Sequence, residues 1–257
     1  MKKMIRLTAF AVAVLMIASC LFSCNLLFGA DPAEVLKEAD AALAAAPYTV
    51  RMGIEYSSED EDMASAIEKL SNPKIELKVD GESFSTNMSL NLDGRLASYS
   101  YTVVDGTVYY DSYEEGENEI YTLKKKSAYT DEMKKAIIDS FGDGANIRAD
   151  DFDSVSAMKA KGSVVVTCSD IKRSAIYGVM NSLQDKLLDI GAMVSVKDAS
   201  LVIQITDAKY ASSAFICTYV ITTSTDVYTV TMTLGSVFDY DTQFEISAPT
   251  NADEYVG

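Results

Sequence analysis

The chain reads as an α+β protein built on a long antiparallel sheet, and three observations predict it. Asp80-Gly81, Asp93-Gly94 and Asp105-Gly106 recur at nearly even spacing. An Asp-Gly pair between alternating stretches marks a tight hairpin, because glycine accepts a positive φ. Between the first two pairs, Phe84, Thr86, Met88, Leu90 and Leu92 alternate with Ser83, Ser85, Asn87, Ser89 and Asn91. One face is apolar and the other wet, as in a sheet solvated on one side. Finally, two helical stretches interrupt the strands, so the order reads helix, strands, helix, strands.

The first helix begins at Asp31-Pro32-Ala33-Glu34. Asp31 suits the cap, Pro32 the first helical position, and Glu34 can reach back as in a capping box. Val35, Leu36, Ala39 and Leu43 share one face at helical spacing, and Pro47 ends the element. Tyr48 to Tyr56 reads as a first strand. Glu59 to Asp62 are four acids without the spacing or glycine of a calcium loop. They suit the first turn of a helix, carried on by Met63, Ala66, Ile67 and Leu70. The Asp-Gly meander follows, with further strands from Arg95 and Thr107, an acidic turn at 114–119 and a strand from Ile120 to Leu123.

Met133, Ile137 and Phe141 mark a short helix ended by Gly142-Asp143-Gly144. Residues 143–160 are polar and read as an irregular loop. Gly162 to Cys168 is a strand with Val164, Val166 and Cys168 on one side. Asp170 is the expected cap of a second long helix over 171–190, whose stripe is Ile176, Met180, Leu183 and Leu187, with Tyr177 and Leu188 beside it and Gly191 at its end. Three or four long strands follow. Leu201, Ile203 and Ile205 alternate in the first, then Phe215, Cys217, Tyr219 and Ile221, then Tyr228, Val230, Met232 and Leu234. Ile246 to Tyr255 is a tail. Asp207-Ala-Lys-Tyr-Ala-Ser echoes Asp93-Gly-Arg-Leu-Ala-Ser at a strand-to-strand turn. With no Gly/Ser linker, 31–257 is expected to form one continuous sheet and one domain.

Composition removes several classes of function. The 257 residues contain no histidine and no tryptophan. That excludes Ser-His-Asp and Cys-His catalysis and histidine-ligated zinc. The net charge is -16, which repels nucleic acid and anionic membrane surfaces. Lys124-Lys125-Lys126 is the one basic run of note, and a solvated strand end accounts for it. The sequence gives no sign of a metal site or a cofactor. There is no phosphate loop, no Gly-x-Ser-x-Gly and no Cys-x-x-Cys. Ser156-Ala-Met-Lys159 and Ser169-Asp-Ile-Lys172 match Ser-x-x-Lys, but the companion Ser-Asp-Asn and Lys-Thr-Gly motifs are missing. The expectation is a protein that is not an enzyme.

The first thirty residues carry Lys2, Lys3 and Arg6, then an uncharged run from Leu7 to Ala30, the form of an export signal. Ile17-Ala18-Ser19-Cys20 and Leu21-Phe22-Ser23-Cys24 both fit a lipobox, and the segment resembles a bacterial lipoprotein signal. Cys24 is the preferred lipidation site, with Cys20 the alternative, because a cut at Cys20 leaves a longer apolar tail. Residues 1–23 are then the signal peptide and 24–30 a lipid-anchored tether. Removing 1–23 takes three positive charges and no acid from the net -16, leaving -19. A thioether-linked diacylglycerol and an amide-linked chain such as palmitate supply a stable anchor. The competing reading is an uncleaved membrane helix, against which Asn25 and Gly29 weigh. Either way the body lies outside the cytoplasm, in a cell envelope. There Cys168 and Cys217, on apolar strand faces, form a disulfide or pack as free thiols.

The leading helix at 31–46, the Asp-Gly meander and the helix at 171–190 before further strands resemble, in layout, the LolA/LppX family of lipoproteins and lipoprotein carriers. The resemblance covers most of the mature chain and has no diagnostic motif. It implies a half-barrel: a curved antiparallel sheet whose concave face, covered by helices, holds acyl chains. On that likeness Phe84, Met88, Leu90, Phe215, Tyr219, Val230 and Met232 line the concavity, faced by Met180, Leu183 and Leu187. The implied function is non-covalent binding of a lipid or other apolar ligand. The alternative is an envelope scaffold with a filled core, meeting another envelope protein through acidic loops at 57–62 and 114–119.

Overall fold

The computed structural model of the chain describes residues 29–68, 73–92, 95–117, 119–133, 147–160, 162–176 and 192–257. The signal segment with Cys20 and Cys24, the turn Asp93-Gly94, and Leu70, Ile137, Phe141, Met180, Leu183 and Leu187 lie outside the described residues.

Helix α1 spans Pro32–Ala45, and the Asp31 carboxylate accepts from the Ala33 N–H at 3.0 Å, satisfying one of the orphan donors at the helix start. Pro47 separates it from β1 (Tyr48–Ser58). The acidic run opens α2 (Glu61–Glu68), where the Asp60 carboxylate accepts from the Met63 N–H at 2.8 Å. The acids therefore start a helix, as expected.

A meander follows: β2 (Lys74–Asp80), β3 (Ser83–Leu92), β4 (Arg95–Val104), β5 (Thr107–Glu115) and β6 (Ile120–Ala128). At the β4–β5 turn Asp105 and Gly106 both have positive φ, 50° and 70°, the two left-handed positions of a type I′ hairpin. The second meander is β7 (Phe152–Ala160), β8 (Ser163–Ile171), β9 (Met193–Thr206), β10 (Lys209–Thr222) and β11 (Val227–Asp239).

The eleven strands of the described residues form one antiparallel sheet in the order β6-β5-β4-β3-β2-β1-β11-β10-β9-β8-β7. Each meander pairs consecutive strands. The first and last strands, β1 and β11, then join the two, from Thr49 opposite Asp239 to Ser58 opposite Val230.

Two expectations are corrected. Residues 152–160, read as loop, form β7. It is an edge strand, paired on one side only, so it carries a weak apolar pattern. Asp170 does not cap a helix but lies inside β8 at φ 61°, accepting from the Ser154 hydroxyl at 2.8 Å. This left-handed residue breaks the alternation after Cys168. The helical turn that follows starts two residues later, with the Ala175 and Ile176 N–H groups donating to the Lys172 carbonyl.

Candidate ligand-binding face

Directly opposed residues of antiparallel strands share a face, so the registers trace one apolar face across the sheet. Phe215 lies opposite Leu234, which lies opposite Ile54. Two residues along β1, Met52 faces Ile75, which faces Met88 and then Tyr99. Tyr219 faces Val230, and Cys217 faces Met232. Phe84, Met88, Leu90, Phe215, Tyr219, Val230 and Met232 therefore all project from the same side of one sheet. The three remaining candidates, Met180, Leu183 and Leu187, fall outside the described residues.

The two halves of this face differ. On β10 and β11 the face is packed shut: Phe215 is 2% exposed, Tyr219 3%, Val230 6% and Met232 8%. Ala39 of α1 is fully buried among Phe152, Val166, Leu201 and Phe215, with Val35 and Leu36 beside it. The Tyr210 hydroxyl fastens the helix through Asp40 at 2.6 Å; burial first, then the Asp40 carboxylate, pushes that phenol far above its usual range. In the other half, Phe84, Met88 and Leu90 are half-buried, while Ile75, Ala97, Val103 and Val108 in the same rows are buried, the two valines as a small core of their own. Here the opposed rows are Val79–Phe84–Val103–Val108, Leu77–Thr86–Tyr101–Tyr110 and Ile75–Met88–Tyr99–Ser112. Tyr129 packs edge-on against Phe84 at 5.8 Å, and the Tyr101 and Tyr110 rings lie 4.9 Å apart. The Tyr99 hydroxyl donates to Glu114 at 2.8 Å. Its pKa is pushed up to about 12, by burial and then by that carboxylate.

Thr86 sits in the middle of this aromatic half. Its hydroxyl is buried and has no hydrogen-bond partner among the described residues. Pattern reading placed Thr86 on the face as part of the alternation but gave it no role; the signal was a hydroxyl within an otherwise apolar row.

A depression of about 520 Å³ opens beside the end of α1, between Leu43, Pro47, Tyr48 and Val79. A depression of about 810 Å³ lies on the opposite, polar face, along Arg51, Gly53, Glu76, Asn87, Ser98 and Gly235. There Arg51 pairs with Glu76 at 3.1 Å and Asp239 at 3.7 Å. Gly53 stands opposite Gly235, so a trough follows from two missing side chains. We take the apolar face as the site despite the larger volume opposite, because the trough is open and bridged by solvated ion pairs.

Cys168 and Cys217 are free thiols, so the optional disulfide is not formed. Strand β9 stands between them, with Leu201 opposite Cys168 and Ala199 opposite Cys217. Two strand spacings, about 9.6 Å, exceed the ~7 Å that a disulfide spans. Burial raises both thiols to about 11. Neither Ser-x-x-Lys pair is assembled: Ser169 donates to Asp170, and Lys172 to the Asp150 carbonyl. Ser156 and Lys159, three apart on β7, point to opposite faces. Among the described residues no three of Cys, Asp and Glu gather as metal ligands. No described helix is long and apolar enough to cross a membrane.

No family model and no curated protein matches the chain. Among solved structures, ywiB protein from Bacillus subtilis overlaps 75% of this chain and 91% of its own, at 7% identity and a TM-score of 0.14. The dehydratase domain of PpsC from Mycobacterium tuberculosis overlaps 81% of each chain, at 8% identity and a TM-score of 0.14. At such scores neither likeness bears on fold or function.

Proposed function

We propose that this chain is a lipid-anchored, extracytoplasmic, non-enzymatic protein that binds a lipid or other apolar ligand on the β2–β5 half of its apolar face. The observation that carries this is the asymmetry of that face. On β10 and β11 its residues are buried; from β2 to β5 Phe84, Met88 and Leu90 keep partial exposure between the buried Ile75, Val103 and Val108, and the buried Thr86 hydroxyl has no partner among the described residues. Ligand pockets pair an apolar lining with a few polar groups that fix orientation. Phe215, Tyr219, Val230 and Met232 belong on this reading to the packed half and support the site from behind.

A curved sheet, concave toward α1, belongs to this reading; α1 packs on both β10 and β7. At about 0.8 kcal/mol per buried CH₂, a chain of some fifteen methylenes gains about 12 kcal/mol. Ordering and association cost at least about 4 kcal/mol, which leaves affinity near the micromolar range. The anchor on Cys24, or on Cys20, keeps the protein at the membrane that supplies such ligands.

The scaffold reading keeps one observation in its favour: the acidic segments at 57–62 and 114–119 lie at the same end of the sheet, where β1 and β5 finish. Native mass spectrometry of protein purified without detergent separates the two readings. A co-purifying lipid supports the first, and an empty protein that takes up no fatty acid refutes it. Loss of radiolabelled palmitate in Cys24→Ala but not Cys20→Ala tests the anchor.

A further inference from the structure

The outer edge of β6 is held by the end of the chain. Val256 runs parallel to it beside Lys125, its carbonyl accepting from the Lys126 N–H at 2.9 Å and its N–H donating to the Lys124 carbonyl at 3.3 Å. Tyr255 is 6% exposed, edge-on to Tyr109 at 5.4 Å, with its hydroxyl on Asp111 at 3.2 Å. Glu254 pairs with Lys124, and Lys126 donates to the Ala252 carbonyl. The rest of the edge is uncovered and apolar: Ile120 is 63% exposed, Tyr121 56% and Leu123 43%. Open edges of this kind invite strand addition, and proteins ordinarily blunt them.

We propose that the β6 edge is a self-association surface whose partner is the β6 edge of a second copy, and that the C-terminal segment Asn251–Gly257 is the plug that holds the two apart. A two-fold axis relating antiparallel strands stands perpendicular to the sheet, so the two apolar faces align and the interface is isologous. The Lys124 carbonyl and Lys126 N–H point outward. By the alternation of an antiparallel strand, the N–H and C=O of Thr122 do so too. With Thr122 on the axis, Tyr121 meets Leu123 of the second copy on the apolar side, and Glu119 meets its Lys125. The charge order Glu117, Glu119, then Lys124 to Lys126 is thus self-complementary about Thr122. Val256 occupies the place beside Lys125 that Glu119 of the second copy takes. Plug and second copy exclude one another.

The test uses the full chain in mild detergent, with Cys20 and Cys24 changed to Ser throughout, against the same chain ending at Thr250. The intact chain is expected to sediment as a monomer and the shortened one at twice its mass. Thr122→Cys places its sulfur on the axis, where paired Cα atoms lie about 5.5 Å apart, within disulfide reach. Oxidation is expected to cross-link the shortened chain at least tenfold faster than the intact one. A synthetic peptide of residues 250–257 added in excess restores the monomer. A shortened chain that keeps its strand signal and stays monomeric overturns the proposal, as does equal cross-linking of both chains. Should the shortened chain not fold, Val256→Pro removes the donor to Lys124 with the tail present; a folded, monomeric Val256→Pro protein overturns the proposal equally.

Discussion

Two substitutions on one face are expected to have opposite consequences. Phe215 is 2% exposed beneath α1, in contact range of Leu201, Cys217 and Leu234 in the packed cluster. Truncating such a phenylalanine to alanine costs about 3–5 kcal/mol, in lost transfer energy and the cavity left behind. In a chain of this size each kcal/mol moves Tm by roughly 2–4 °C, so Phe215→Ala is expected to lower Tm by about 6–20 °C. Binding of a fluorescent fatty acid, measured below the melt, stays within about twofold, because the ligand sits elsewhere. Met88 is half-buried, in a row with Ile75 and Tyr99. Met88→Trp adds bulk at a position that keeps partial exposure, where solvent relieves part of the overpacking. It shifts Tm by no more than about 1 kcal/mol's worth, yet fills the space an acyl chain needs and weakens binding at least tenfold, about 1.4 kcal/mol. Differential scanning calorimetry and fluorescence titration of both variants give the four numbers. If Phe215→Ala abolishes binding in a folded protein while Met88→Trp leaves it untouched, the division of the face is wrong. If Phe215→Ala barely moves Tm, the half under α1 is not a packed core.

Thr86→Val removes a buried hydroxyl that has no partner among the described residues. Since an unsatisfied buried polar group costs about 1–3 kcal/mol, Tm is expected to rise, while affinity for a fatty acid falls; a drop in Tm shows that the hydroxyl is satisfied. Ala208 holds φ 57° in the Asp207-Ala208 turn, where glycine has no steric penalty, so Ala208→Gly stabilises by about 1 kcal/mol, read from urea midpoints; a loss of stability contradicts the turn. The Lys124 ammonium, then the Asn251 amide, holds Glu254 below its usual range. A carboxylate with a depressed folded pKa contributes stability that is complete above its unfolded value of about 4.3 and disappears as pH falls through the folded one. The Val256 amide resonance should therefore move only below about pH 4, and Glu254→Gln should abolish the step. Cys168 and Cys217, raised to about 11 by burial, should resist thiol reagents at pH 8 in a chain with Cys20 and Cys24 changed to Ser, and both should react in guanidinium; fast native labelling of either refutes their burial.

The strands that announce themselves do so by burial on a single side. Leu201 to Ile205, Phe215 to Ile221 and Tyr228 to Leu234 alternate without a break, and Phe84 to Leu92 do the same in β3; that pattern carries face and register together. The β7 strand escapes because an edge strand is paired on one side only. Its Ser154, Ser156 and Lys159 read as loop, and its inward Val155 and Ala157 are small. The Asp170 error has a different cause. Aspartate is favoured both as a helix cap and in left-handed turns, and only the Ser154 hydroxyl across the hairpin decides between the two. The difference between the halves of the apolar face lay beyond pattern reading altogether. Met88 and Met232 alternate in the same way, yet Met88 is half-buried and Met232 is 8% exposed within the cluster that holds Ala39 of α1.

The pairing of β1 with β11 is the contact on which the architecture turns, and nothing local encodes it. Residues about 180 apart in sequence meet there over the length of a strand, a closure with high entropic cost that neither meander supplies by itself. Its position explains why the site is split. β1 follows α1 after only Ala46 and Pro47, so the helix is tied to the seam and must fold back over whichever meander presents the complementary surface. Phe215, Leu201 and Val166 present it, and the face on the other side of the seam is left to Phe84, Met88 and the tyrosines. The same seam sends the chain end, leaving from β11, past β1 to β5 before Val256 reaches β6. A substitution that loosens the seam, such as Ile54→Ala opposite Leu234, should therefore weaken both the α1 packing and the hold on the β6 edge. Hydrogen exchange would show protection falling together at Ala39 and Val256; a fall confined to one of them would mean that the two meanders are energetically independent despite sharing a sheet.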